Sequence, residues 1–138
     1  MSTSTDAVIR DILTSVKTIA IVGASDKDTR ASHRVMKFLQ SKGYRCMPVS
    51  PRLSGTSLLG EYVYAKLTDI QEPVDMVDVF RRSEHVVPIA DDAIAIKAKV
   101  LWMQLGVVNE EAARRAIVAG LSVIMDRCPA IEIPRLGI

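Results

Sequence analysis

Two kinds of residue in this chain could do chemistry on an anion. One is a turn of small residues, Gly23-Ala24-Ser25, placed where a short apolar run ends. The other is a set of cations, Lys27, Arg30, Arg52, Arg81 and Arg82, each lying shortly downstream of an apolar run. A small-residue turn lets the backbone approach a ligand closely. A helix that begins just after it offers unpaired N–H groups and the positive end of its dipole. Arg adds a fork of donors that matches phosphate geometry. Any one of these cations alone reads as a solvated surface charge, so the argument for a site is their convergence.

The other reactive residue types make a poorer case. Asp75 and Asp78 fall in VDMVDVF, and residues three apart on a strand point to opposite faces, so they cannot form an acid/base pair without a bulge. They read as structural, with Asp78 near the site. His33 and His85 lie near helix starts without a ligand-spaced partner, which suits surface or capping roles. Arg127 beside Cys128 could lower that thiol's pKa, but a small buried thiol is the simpler reading. No Ser-His-Asp or Cys-His arrangement is recognisable. Trp102 reads as core.

The elements that must position these residues follow from periodicity. Thr5-Asp6 can cap a helix carrying Val8, Ile9, Ile12, Leu13 and Val16 at helical spacing. Ile19 to Val22 is a β-branched run suited to a strand buried on both faces. A helix is expected over 31–42, stopped by Gly43. Strands follow at 44–49, where Pro48 is the weak point, and at 74–80, 100–103 and 121–125. Between them, 50–60 reads as a loop, 62–64 as a brief extended piece and 67–70 as a turn of helix. Helices are expected over 83–97 and from the Asn109 cap to Ala119, with Glu110 and Glu111 in the first turn. The tail from 126 reads as irregular, and its apolar Ile131-Glu132-Ile133-Pro134 as a surface for packing on a neighbour, in a monomer or homodimer.

Strands alternating with helices imply an α/β fold, a doubly wound Rossmann-like parallel sheet of about five strands with helices on both faces. With 138 residues, 49% hydrophobic and 25% charged, one domain spanning 1–138 is expected. A net charge of +2 without a Lys/Arg run argues against nucleic acid and suits a small anionic ligand. Two cysteines in no zinc or disulfide spacing make a reducing, cytoplasmic setting the default. The N-terminus lacks a signal-type apolar run, and apolar stretches of strand size leave no membrane span expected.

In such a sheet the ligand lies outside the carboxyl ends of the strands. That rule gathers the loops 23–32, 50–55, 80–83 and 104–109. The full G-x-G-x-x-G fingerprint is absent, since Gly23, Ser25 and Asp28 stand at its positions. Ser50-Pro51-Arg52 ends the second strand where NAD would want an acid on its ribose, and an Arg there suits a phosphorylated ribose instead. An NADP-type domain therefore stays open on this reading.

Six segments extend the pattern across most of the chain. They are IVGAS at the first strand and turn, LQSKGYRCMPVSPR from Leu39, LLGEYVYAKLTDI from Leu58, VDMVDVFRRSEHV from Val74, AKVLWMQLGVVNEEAA from Ala98 and AGLSVIMDRCPAIE from Ala119. On these the chain resembles the YccU-type CoA-binding proteins, relatives of the CoA-binding domain of the succinyl-CoA synthetase α subunit. The resemblance implies coenzyme A as cofactor, with its pyrophosphate at Gly23, Ala24 and Ser25 and with Lys27 and Arg30 nearby. Ser50, Pro51, Arg52, Phe80, Arg81 and Arg82 would flank the adenosine and its 3′-phosphate. The pantetheine arm would run toward Gln104, Leu105 and Gly106. The chain departs from the family at Ser50, where Asn is usual, and at Asp26-Lys27-Asp28, where proline-containing sequence is common. The second domain that carries a phosphorylated histidine in the ligase is not found, so ligase activity is not implied. Holding CoA or an acyl-CoA without catalysis is the leading expectation. A CoA-dependent thiol/disulfide or acyl-transfer enzyme using Cys128 is the alternative.

Overall fold

A computed structural model describes residues 5–138; residues 1–4, the start of the expected domain and of the N-terminal stretch, lie outside the described residues. Helix α1 (Asp6–Ser15) is capped by Thr5, whose side chain accepts from the Val8 amide. Strand β1 (Thr18–Val22) leads to α2 (Ala31–Ser41), β2 (Arg45–Val49) and a small hairpin of β3 (Ser57–Leu58) and β4 (Glu61–Tyr62). Next come β5 (Met76–Val79), α3 (Val86–Ala95), β6 (Val100–Met103), α4 (Glu110–Val118), β7 (Ser122–Ile124) and α5 (Pro129–Arg135). Single 3-10 turns stand at Leu67–Asp69 and Ser83–His85.

Five strands pair in parallel in the order β2-β1-β5-β6-β7. The order runs outward in two directions from β1 and β5, so the topological switch point lies between their carboxyl ends. Alternation divides the sheet into two buried faces. Ile19, Ile21, Met76, Val100, Trp102 and Ile124 pack with α1, α2 and α5. Ala20, Val22, Val77, Val79, Leu101, Met103 and Val123 pack with α3, α4 and the Leu67–Asp69 turn. This is the Rossmann-like α/β architecture expected from the sequence.

The strand expected over 44–49 forms despite Pro48, and two other details differ from expectation. Pro48 is compatible with β2 because β2 is the edge strand, whose outer side meets only an isolated bridge between Val49 and Tyr64. The stretch read as loop contains the β3–β4 hairpin, whose central residues Leu59 and Gly60 both have positive φ, 49° and 82°. Leucine rarely takes that conformation, which is why the turn went unread. The tail read as irregular forms α5. Pro129 opens it at a position where a missing N–H and a preset φ are favourable. Ile133 and Leu136 bury into the core beside α1 and α2, so this segment packs on its own chain.

Asp78 of β5 and Asp75, just before that strand, have separate fates. Asp75 accepts from the Lys17 and Thr18 amides at 2.8 and 3.3 Å and so ties the start of β1 to the start of β5. Burial opposes its ionisation, but these amides and Lys99 outweigh it and hold the carboxyl below its ordinary range. Asp78 is fully buried on the α2 side.

Candidate functional site at the switch point

The turn after β1 is set by contacts on three sides. Gly23 has φ +92°, and a Cβ there would stand 2.7 Å from the Phe80 carbonyl oxygen. The turn therefore requires glycine on two independent grounds. The Gly23 and Ala24 amides both donate to Val49 O at 3.1 Å. They are engaged with the end of β2, so the donors left for an anion begin at Ser25. His33, expected at the surface or in a cap, instead braces the loop through its Nδ1, 3.0 Å from Ser25 O. The Ser25 hydroxyl accepts from the Lys27 amide at 3.1 Å.

Helix α2 starts without a side-chain cap, with Arg30 at the cap position and no acid in its first turn. By contrast α1 and α4 are capped by Thr5 and Asn109. An uncapped start leaves N–H groups and the positive dipole end for a partner outside the helix.

Two clefts open on either side of Gly23. On the α2 side, about 160 Å³ is bounded by Gly23, Ser25, Arg30, Ala31, Ser32 and Phe80. On the α3 side, another 160 Å³ or so is bounded by Gly23, Pro51, Lys66, Arg81, Ile89 and Asp92, among others, over the apolar side chains of Val22, Val49 and Leu67. The two spaces meet at Gly23. Together they gather Gly23, Ser25, Arg30, Pro51, Phe80 and Arg81 from the expected set. Lys27, Arg82 and Gly106 line neither cleft.

Other expected residues have framework duties. Ala24 is buried. Ser50 is buried, and its hydroxyl accepts from the Leu53 amide at 3.4 Å. Arg52 pairs with Asp26 at 3.1 Å across the mouth, joining the loop after β1 to the loop after β2. Arg82 precedes the Ser83–His85 turn. The Gly106 amide donates to Asp126 at 2.7 Å, and Ser83 bonds Val108 and Asn109, so the loop after β6 is stitched at both ends. Gln104 is buried on the α2 side with its carboxamide oxygen unpartnered.

Sequence reasoning missed Lys66 and Asp26. Lys66 lies after β4, between the extended piece expected at 62–64 and the helical turn expected at 67–70, and the bridge between Val49 and Tyr64 brings it beside the mouth. Asp26 was visible as an acid among cations, a signal that could have suggested its partner.

The cysteines are both free and buried. Burial, with Asp78 and Glu61 nearby, pushes the Cys46 thiol up to about 12. Cys128 lies in the core beside α5, and Arg127 is directed to Glu132 at 3.3 Å. Among the described residues no group of three or more His, Cys, Asp or Glu could hold a metal ion, and no helix is long and apolar enough to cross a membrane.

The model of a family described as "CoA binding domain" matches residues 17–134. The chain belongs to this CoA-binding domain family. It is 41% identical over 128 residues to the uncharacterized protein YneT of Bacillus subtilis, covering 93% of each chain. Its fold is similar to that of a hypothetical protein from Pyrococcus horikoshii, with TM-score 0.93, 38% identity and coverage of 99% of this chain and 94% of that one. It is also similar to part of the dinucleotide-forming acetyl-coenzyme A synthetase 1 of Ca. Korarchaeum cryptofilum, solved with phosphate and ADP. There the TM-score is 0.69 at 26% identity, over 78% of this chain and 25% of the synthetase chain. A CoA-related binding role for a small-molecule ligand follows for this CoA-binding domain.

Proposed function

We propose that this protein holds coenzyme A, or an acyl-coenzyme A, across Gly23. The pyrophosphate sits against Ser25 and the uncapped start of α2. The adenosine occupies the cleft toward α3, over Val22, Val49 and Leu67. Arg81, Arg52 and Lys66 meet its 3′-phosphate, and the pantetheine arm leaves through the α2-side cleft past Phe80 toward Gln104. The observation that supports this most is the meeting of two clefts at a glycine, with an acid-free, uncapped helix start on one side. A ligand with a charged middle and two different ends fits that shape.

The role is binding without chemistry. The thiol that an exchange enzyme would need, Cys128, is 6% exposed and packed in the core. Thiol–disulfide exchange requires a thiolate within reach of the ligand sulfur. Incubation with CoA disulfide followed by intact-mass measurement is expected to give no adduct. An adduct abolished by Cys128→Ala would instead establish the enzyme reading.

Calorimetric titration tests the binding itself. The wild type is expected to bind CoA more tightly than dephospho-CoA by about tenfold, the gain of a charge-assisted phosphate contact. R81Q and R52Q are expected to remove most of that difference while leaving dephospho-CoA nearly unaffected. No binding of either compound would overturn the proposal.

A further inference from the structure

Among the described residues, three buried side-chain oxygens have no hydrogen-bond partner: both oxygens of the Asp78 carboxyl and the carboxamide oxygen of Gln104. They occupy one neighbourhood. Asp78 is in register with Trp102 across β5 and β6. Gln104 is the next residue after Trp102 on the same face, and its amide continues the ladder by donating to Val79 O at 3.2 Å. Asp78 and Gln104 are thus diagonal neighbours on one face of adjacent parallel strands, and their side chains share one layer. Asp78 is 0% and Gln104 6% exposed.

Three acceptors without a donor are costly in a dry interior. A proton on the carboxyl turns one of them into a donor, and burial favours the neutral acid. The layer around Asp78 supplies no charge to hold it ionised. Ile21 and Trp102 flank it in the sheet, and the titratable neighbour is the Cys46 thiol of β2, itself kept protonated.

We propose that Asp78 is a positioning residue for Gln104. Its acid proton is donated to the Gln104 carboxamide oxygen, and the Gln104 N–H₂ group is thereby turned to the carboxyl edge, where it donates to an amide carbonyl of the ligand's arm. The inference rests on the CoA reading, since the pantetheine arm is the part of CoA that carries amide carbonyls. Gln104 follows Met103, the register partner of Val79, and so lies beside Phe80, which lines the α2-side cleft. Its amide nitrogen is not among the buried unpaired atoms, in keeping with an outward-facing donor. The proton stays on Asp78 throughout, and no bond is made or broken in the ligand.

The test compares CoA with adenosine 3′,5′-bisphosphate, which has the adenosine end but no arm, by calorimetry on the full chain. D78L is expected to weaken CoA binding about tenfold, the scale of one lost hydrogen bond, and to leave the bisphosphate within about twofold. Q104L is expected to do the same, and the double variant to show no further loss. D78N keeps a donor and the shape of the neutral acid, so it is expected to restore CoA binding to near wild type. Equal losses for both ligands in D78L, or D78N as weak as D78L, would overturn the inference. A second readout needs no ligand. The infrared spectrum at neutral pH is expected to carry a protonated-carboxyl band that D78N removes and Q104L shifts, and ionised-carboxylate bands in its place would overturn the inference. A wild type that binds neither ligand overturns the functional reading, and the infrared result then decides the Asp78–Gln104 pairing on its own.

Discussion

At the scale of single residues, the strongest constraints fall on the groups that shape the turn and tie the strand starts together. Gly23→Ala puts a Cβ into the Phe80 carbonyl from a backbone with φ +92°. The left-handed conformation alone disfavours a side chain by about 1–2 kcal/mol, so the variant is expected to lose at least that in denaturant unfolding and to bind CoA weakly. Asp75 accepts two backbone N–H groups, and Asp75→Ala is expected to lower stability by about 1–3 kcal/mol. Because its carboxyl is held below the ordinary range, its contribution is present above the unfolded value and lost as pH falls through the folded one. Asp75→Asn is therefore expected to flatten the acid limb of a stability–pH profile.

Asp78 has the opposite sign. Burial raises its carboxyl well above the ordinary range, so the native chain keeps a proton that the unfolded chain releases above about pH 3.9. Its stabilising effect is complete below that pH and declines as pH rises toward the native value. Asn cannot ionise, so melting temperatures measured from about pH 4 to about pH 8 are expected to favour D78N over wild type by a margin that grows with pH.

At the scale of elements, α5 shows how a short segment contributes more than its length suggests. Its inner residues Ile133 and Leu136 reach the core under α1 and α2. Glu132, 4% exposed, receives Arg127 at 3.3 Å and Arg135 at 2.6 Å, and Arg135 also reaches Asp6 of α1 at 2.8 Å. A buried charge is tolerated when paired, and removing its partners is costly. Ile133→Ala is expected to cost about 2–5 kcal/mol in chemical denaturation, comparable to a residue of the central strands. Tail residues that merely covered a neighbouring molecule would give almost no change. The sequence of this segment hid the helix because two prolines in seven residues ordinarily argue against one. Here Pro129 opens the helix, where its missing N–H would have no intrahelical partner, and Pro134 comes one residue before the helix ends, so it costs a single i→i−4 bond.

At the scale of the whole molecule, the parallel sheet, its two faces and the carboxyl-edge location of the loops were legible because periodicity and strand–helix alternation carry that information directly. The cations were legible as a set but not as individuals. Arg81 and Arg30 line clefts, whereas Arg52 is paired with Asp26 and Arg82 stands aside, because cross-loop geometry depends on the β2 crossover and the hairpin that follows it. The Gly23-Ala24-Ser25 segment was legible as a tight strand-to-helix turn, but not the engagement of its first two amides by Val49. That contact depends on which strand neighbours β1, and alternation alone does not give strand order. Glu111 likewise reads as a dipole partner in sequence, yet it is also forked by Arg114 and Arg115, which hold its carboxyl down to about 2.

The chain contains a single tryptophan. Trp102 is fully buried in the middle of the sheet, and its indole N–H donates to Arg127 O at 2.8 Å. It is cross-strand from Asp78 and two residues from Gln104. Nature has thus placed a built-in optical probe between the stability of the fold and the arm of the ligand. Its emission is expected to shift to the red when the sheet opens, and to change in intensity when Gln104 engages a ligand, so one unlabelled sample can report melting and occupancy in the same cuvette.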